Sequence, residues 1–113
     1  MEMFIPGDSP YQFTIQLKNE ATGIPYSLSD LDTCTFVIHD RVSHEVINRS
    51  WGTVLDSDTG LVRIALGTLS LDTETGTKVD RGYLKTAYRG IITSTFTNTE
   101  KNAIGIIEQI YIV

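Results

Sequence analysis

Two histidines, His39 and His44, lie five residues apart with Asp40 and Glu45 beside them. Imidazole nitrogens and a carboxylate can together ligate a divalent metal, and histidine is the commonest general base near neutral pH. The pair spans an expected turn and the chain has no third histidine, so this spacing does not complete a ligand set. Asp56-Ser57-Asp58-Thr59-Gly60 alternates carboxylates ahead of a glycine, as the opening of a calcium loop does. Leu61-Val62-Arg63-Ile64 then brings no further oxygen ligand, so a hairpin turn with Asp side chains on nearby amides is expected. The serines (Ser9, Ser27, Ser29, Ser43, Ser50, Ser57, Ser70 and Ser94) sit in no Gly-x-Ser-x-Gly elbow, and no glycine-rich phosphate loop is present. Cys34 is the single cysteine, which excludes an intrachain disulfide and a cysteine zinc cluster. Beside Thr33, Thr35 and Phe36 it reads as a small buried hydrophobe. Asn48-Arg49-Ser50 is a glycosylation sequon, which matters only in a secreted chain. No catalytic residue, cofactor or metal site is expected, and the chain reads as something other than an enzyme. The aromatic residues Trp51, Tyr83 and Tyr88 offer a different chemistry, a stacking platform for a carbohydrate or receptor.

The elements that must position these residues follow from composition and period. The chain has 113 residues, 41% hydrophobic and 20% charged, with nine basic against fourteen acidic side chains. That length supports one domain, residues 1–113, with its own core, and the apolar fraction excludes a disordered chain. A net charge of −5 and scattered Lys and Arg argue against a phosphate-backbone partner, so no nucleic acid is expected. No apolar run reaches the length of a membrane-spanning helix, and the opening Met1-Glu2-Met3-Phe4-Ile5-Pro6 has no basic n-region. Production in a cytoplasm without membrane insertion is the expectation.

Period two dominates. Tyr11, Phe13, Ile15 and Leu17 alternate with Gln12, Thr14 and Gln16, the mark of a half-buried strand. Thr33 to Asp40 places Cys34, Phe36 and Ile38 on one face, and Glu45 to Arg49 returns as its hairpin partner. Trp51 to Leu55 and Leu61 to Leu66 flank the Asp56–Gly60 turn. Ser27 to Leu31 is long enough for one helical turn, and another is expected near Leu69 to Thr73. Gly82 to Arg89 and Ile91 to Thr97 form one long strand or two joined at Gly90, where a bulge is expected. Ile104 to Val113 closes the chain. Seven to eight short strands with turn signals about every ten residues predict an immunoglobulin-like antiparallel β-sandwich of Greek-key type.

The last strand is apolar on both faces: Ile104, Ile106, Ile110 and Ile112 on one, Ile107, Tyr111 and Val113 on the other. Either a loop covers its outer face, or that face packs against a neighbouring subunit. The second reading assigns Ile107, Tyr111 and Val113 to subunit contact. Met3, Phe4 and Ile5 join them as part of an apolar N-terminal arm, residues 1–7, ahead of Pro6-Gly7.

Several stretches in order resemble a module of tailed-phage virions. They are Gly7-Asp8-Ser9 leading into Phe13-Thr14-Ile15-Gln16-Leu17, then Gly23-Ile24-Pro25-Tyr26-Ser27-Leu28 before Phe36-Val37-Ile38. Gly60-Leu61-Val62-Arg63-Ile64, the polar segment Leu69 to Thr77, Gly82-Tyr83 and the closing Gln109-Ile110-Tyr111-Ile112-Val113 follow. Together they are similar to the immunoglobulin-like N-terminal domain of siphophage baseplate upper proteins and to related small tail and neck proteins. The baseplate proteins continue into a stalk or receptor-binding region, whereas this chain ends with the domain. The resemblance implies a virion structural protein made in the host cytoplasm and placed in the tail. It would be a homo-oligomeric ring or adaptor at a collar, baseplate or neck that docks other phage tail proteins.

Overall fold

The computed structural model describes residues 2–7, 9–41, 43–69 and 88–112. They form β1 (Glu2–Ile5), β2 (Pro10–Gln16), β3 (Leu31–Asp40), β4 (Val46–Asp56), β5 (Leu61–Thr68), β6 (Tyr88–Phe96) and β7 (Ala103–Ile112). One 3-10 turn, Thr99–Lys101, is the only helical element among the described residues. The strands hydrogen-bond in the order β1-β7-β6-β3-β4-β5-β2.

That single ladder becomes two layers because β4 belongs to both. Its first half pairs with β3, ending at Trp51 opposite Thr35. Its second half pairs with β5, starting at Gly52 opposite Ile64. The larger layer is therefore β1-β7-β6-β3 with the start of β4, and the smaller is the end of β4 with β5 and β2. The layers face one another through Phe13 of β2, whose ring meets Phe36 of β3 edge-on at 5.2 Å between centroids. With β2, β5 and half of β4 against β3, β6 and β7, the connectivity is the immunoglobulin-like one expected from the strand pattern.

The handover in β4 depends on a missing side chain. A Cβ on Gly52 would lie 2.5 Å from Val62 Cγ1 and 3.2 Å from Cys34 Cβ. Only glycine lets the two layers close there. The core behind it is continuous, with Phe36, Ile38, Val62, Ile64, Ile110 and Ile112 fully buried. Cys34 lies in that core, as expected of a small hydrophobe.

Several sequence expectations change. Residues 2–5 are not a free arm: β1 pairs in parallel with β7, Glu2 opposite Gln109 through Ile5 opposite Ile112. It is the one parallel pairing in an otherwise antiparallel set among the described strands. Trp51 to Leu55 is no separate strand but the second half of β4. The chain around Ser27–Leu31 makes a single turn, closed by Leu31 N donating to Leu28 O at 3.1 Å, and no longer helix. The helical turn expected near Leu69 to Thr73 and the strand start at Gly82 lie outside the described residues, apart from Leu69, which is buried.

The bulge expected at Gly90 sits opposite it, in β7. Tyr88 faces Ile110 and Gly90 faces Ile107, so Arg89 alone stands against both Glu108 and Gln109. One extra residue reverses the alternation of side chains along β7. Before the bulge Ile107 points inward and is buried, while Ile104 and Ile106 point outward. After it Ile110 and Ile112 point inward and are buried. The inward face of β7 thus changes parity halfway, and its outward face ahead of the bulge carries Ile104 and Ile106.

Candidate functional site

Aligned registers build the outer face of the larger layer from two rows. Trp51 of β4, Thr35 of β3, Thr93 of β6 and Ile104 of β7 stand side by side. The adjacent row is Arg49, Val37, Ile91 and Ile106 in the same strand order. All eight side chains point away from the core, because their sequence neighbours Ser50, Cys34, Phe36, Gly90, Ser94 and Ile107 are buried. Ile104 is 69% exposed, Trp51 61% and Ile106 43%, while Val37 and Ile91 between them are half-buried. Large apolar side chains thus remain in water at both ends of one row. The face is bordered by Arg89 and Glu108, whose charged groups lie 3.8 Å apart, and by exposed Phe4.

The residues assigned to subunit contact from sequence divide. Ile5 and Ile107 are buried in the chain's own core and cannot meet a neighbour. Met3 is half-buried against that core. Tyr111 is covered by Phe4, the rings stacking at 5.0 Å with 15° between planes, and its hydroxyl donates to Gln109 Oε1 at 3.0 Å. Phe4 itself is 54% exposed and remains available. Val113 lies outside the described residues. Ile104 and Ile106, which sequence reasoning put on the inward face, are the outward ones. The signal that could have found them is the polar pair Glu108-Gln109 interrupting the apolar alternation.

Among the described residues the aromatic platform does not assemble. Tyr88 is buried in the core, because it lies on the inward face of β6, and Tyr83 lies outside the described residues. Trp51 is left beside Thr35, with no described tyrosine next to it.

His39 and His44 do share a place, a recess of about 310 Å³ also lined by Asp40, Arg41, Arg89 and Glu108. Two guanidinium groups oppose a cation there, and no three metal-ligating side chains converge among the described residues. Asp56–Gly60 is the β4–β5 turn: Asp56 Oδ1 accepts from Asp58 N at 3.0 Å, and Gly60 takes a φ of +70°. A second cavity of about 450 Å³ opens between β2 and β7, floored by Phe13, Ile15, Leu17 and Ile92. It exists because the inward side chains of β7 at that end belong to Ala103 and Gly105, and because β1 pairs with β7 only from Gln109 onward.

One charged cluster holds the loop end of the sandwich. Lys101 Nζ donates to Asp30 Oδ1 at 2.7 Å and to Ser27 O at 3.2 Å, and lies 5.2 Å from the Phe96 ring centroid. Asn98 N donates to Asp30 Oδ2 at 3.1 Å. The hydrogen bond from Lys101, aided by the one from Asn98, holds the Asp30 carboxyl below the usual carboxylate range. The cluster ties the β6–β7 turn to the loop before β3, so it fixes where Ile104 begins its strand.

No protein-family model matches the chain, and no curated protein matches it. Among solved structures it is similar to a chain from the crystal structure of the ZIG-8–RIG-5 IG1–IG1 heterodimer. The TM-score is 0.43 and the identity 5%, over 99% of this chain and 81% of that one.

Proposed function

We propose that the protein is a non-catalytic structural module that docks against other protein subunits through the outer face of its larger layer. At finer scale, the turn glycines and strand pattern shared with tail modules support a virion structural protein. It is a ring or adaptor at the collar, baseplate or neck of a phage tail, made in the host cytoplasm, whose partners are its own copies and other tail proteins.

The observation that carries this reading is the exposure of Trp51 and Ile104, 61% and 69%, on one sheet face with Ile106 beside them. Exposed apolar side chains grouped on one face mark an interaction surface, and tryptophan is enriched at the centres of such surfaces. The test is absolute mass by light scattering after size exclusion, over a range of concentrations, for the native protein and for Ile104→Asp. The native protein is expected to assemble and the variant to fall to monomer with an unchanged circular dichroism spectrum. A native monomer throughout, or an assembly indifferent to the substitution, overturns the reading.

A further inference from the structure

The outer face has a pattern along its rows as well as an apolar character. Read from β4 to β7, one row runs large apolar, Thr, Thr, large apolar: Trp51, Thr35, Thr93, Ile104. Read in either direction it is nearly the same sequence of shapes. A surface of this kind complements itself when a second copy is turned about an axis parallel to the strands, because that turn lays β4 of one copy over β7 of the other. We infer that the face pairs with a second copy of this chain about such a two-fold axis, with Trp51 of each copy packed on Ile104 of the other.

Charge agrees with that choice of axis. Arg49 is exposed at the β4 side of the face, and Glu108 at the β7 side. The strand-parallel axis brings Arg49 of one copy to the Glu108 side of the other, opposite charges together. An axis across the strands lays β4 on β4 and β7 on β7, which keeps Arg49 of one copy away from Glu108 of the other. Contacts of the form i to j and j to i are what a closed two-fold pair requires.

Area agrees as well. Four strands at a spacing of about 4.8 Å, over about seven residues at ~3.4 Å, cover roughly 500 Å² in projection once the four residues of β1 are added. The accessible area of a corrugated sheet face exceeds its projection, which brings it near the ~800 Å² per partner of a standard stable interface. Packing two such faces with their strands near alignment is also the ordinary way sheets stack.

The inference rests on the reading that this face docks protein, and it names the occupant and the symmetry: a closed pair on this face, so that any ring or further tail contact uses another surface. The experiment mixes two single variants, Trp51→Cys and Ile104→Cys, in equal amounts and treats them with a short bismaleimide. Both positions are exposed, and the native Cys34 is buried, so the unsubstituted protein serves as the unreactive control. Facing sheets lie about 10 Å apart, and the row spans about 14 Å, so the strand-parallel axis puts position 51 about 10 Å from the partner's 104 and ~17 Å from the partner's 51. The expected result is covalent dimer in the mixture, up to about half of the chains if copies pair at random, with little in either variant alone. Equal cross-linking within a single variant means the other axis and overturns the inference. A native species of twice the 12.6 kDa protomer that yields no cross-link in any sample places the interface elsewhere and overturns it too. A higher assembly lost in Ile104→Asp, but silent in cross-linking, overturns the two-fold pair and leaves the docking reading standing. A native monomer at every concentration removes both.

Discussion

Cys34 sits where β4 passes from one layer to the other, its Sγ accepting from Ser94 Oγ at 3.7 Å and facing the bare backbone of Gly52. Burial pushes its thiol above the ordinary value, so little thiolate forms near neutral pH and no reagent can reach it. A maleimide or disulfide reagent is therefore expected to leave the native protein unlabelled and to react fully once urea unfolds it; rapid labelling of the native state would contradict the burial. At this scale the sequence was legible for Cys34, whose apolar neighbours and strand parity placed it inward. It was equally legible for Asp56–Gly60, where acceptor side chains and a left-handed glycine make a turn. Tyr88 was misplaced because an aromatic residue in a Thr-rich strand carries no mark of which face it takes. Asp30 adds a pH dependence with a definite sign. Its carboxyl is held below the ordinary 3.8 by Lys101, so the native state binds fewer protons there than the unfolded chain does. The resulting stability is present above about pH 4 and is lost as pH falls through the lowered value. Asp30→Asn is expected to lower the urea midpoint at pH 7, with the gap to the native protein narrowing toward pH 3. A gap that stays constant across that range would remove Asp30 as its cause.

At the scale of elements, β7 is governed by its bulge. Ile110 and Ile112 are both fully buried, and burying an isoleucine contributes about 1.5–3 kcal/mol. Without the bulge the full-length strand would turn both outward, a loss of about 3–6 kcal/mol from a domain whose whole stability is of the order of 5–15 kcal/mol. Deleting Glu108, in contrast, removes the extra residue and leaves both inward. The deletion is therefore expected to keep a cooperative thermal transition, as is Glu108→Ala, which keeps the extra residue and the bulge. A deletion variant that loses its cooperative transition would show that the bulge does more than absorb one extra residue. Strands β2, β3 and β5 could be read from sequence because each keeps one parity over its apolar run, Tyr11 to Ile15, Cys34 to Ile38 and Val62 to Leu66. For β7 the alternation of Ile104, Ile106, Ile110 and Ile112 suggested one face, while the polar pair between them changed it. The fusion of two expected strands into β4 was hidden for a related reason: Gly52 reads as a breaker, and only its contacts with Val62 and Cys34 explain why the strand runs through it.

For the whole molecule, the candidate surface could not be read along the chain. Trp51 and Ile104 are 53 positions apart in sequence, and three successive registers are needed to set them in one row. Register is decided by the buried faces of all four strands together, which is information no local window contains. This is also why Ile104→Asp is a clean probe at this scale: the side chain it replaces lies outside the core, so the ladder to β6 and the packing behind it remain. The sandwich itself was legible, since alternating strands and short turns admit few other arrangements.

The parallel pairing of β1 with β7 has a mechanical consequence. Glu2–Ile5 and Gln109–Ile112 run side by side in the same direction. A pull applied at Glu2 and at Ile112 in opposite senses therefore slides the two strands past one another along their length. Their rungs carry that load together instead of opening one at a time from an end, as the rungs of a peeled hairpin do. Tension through these two ends meets its resistance at this short ladder, before the force reaches the rest of the sandwich.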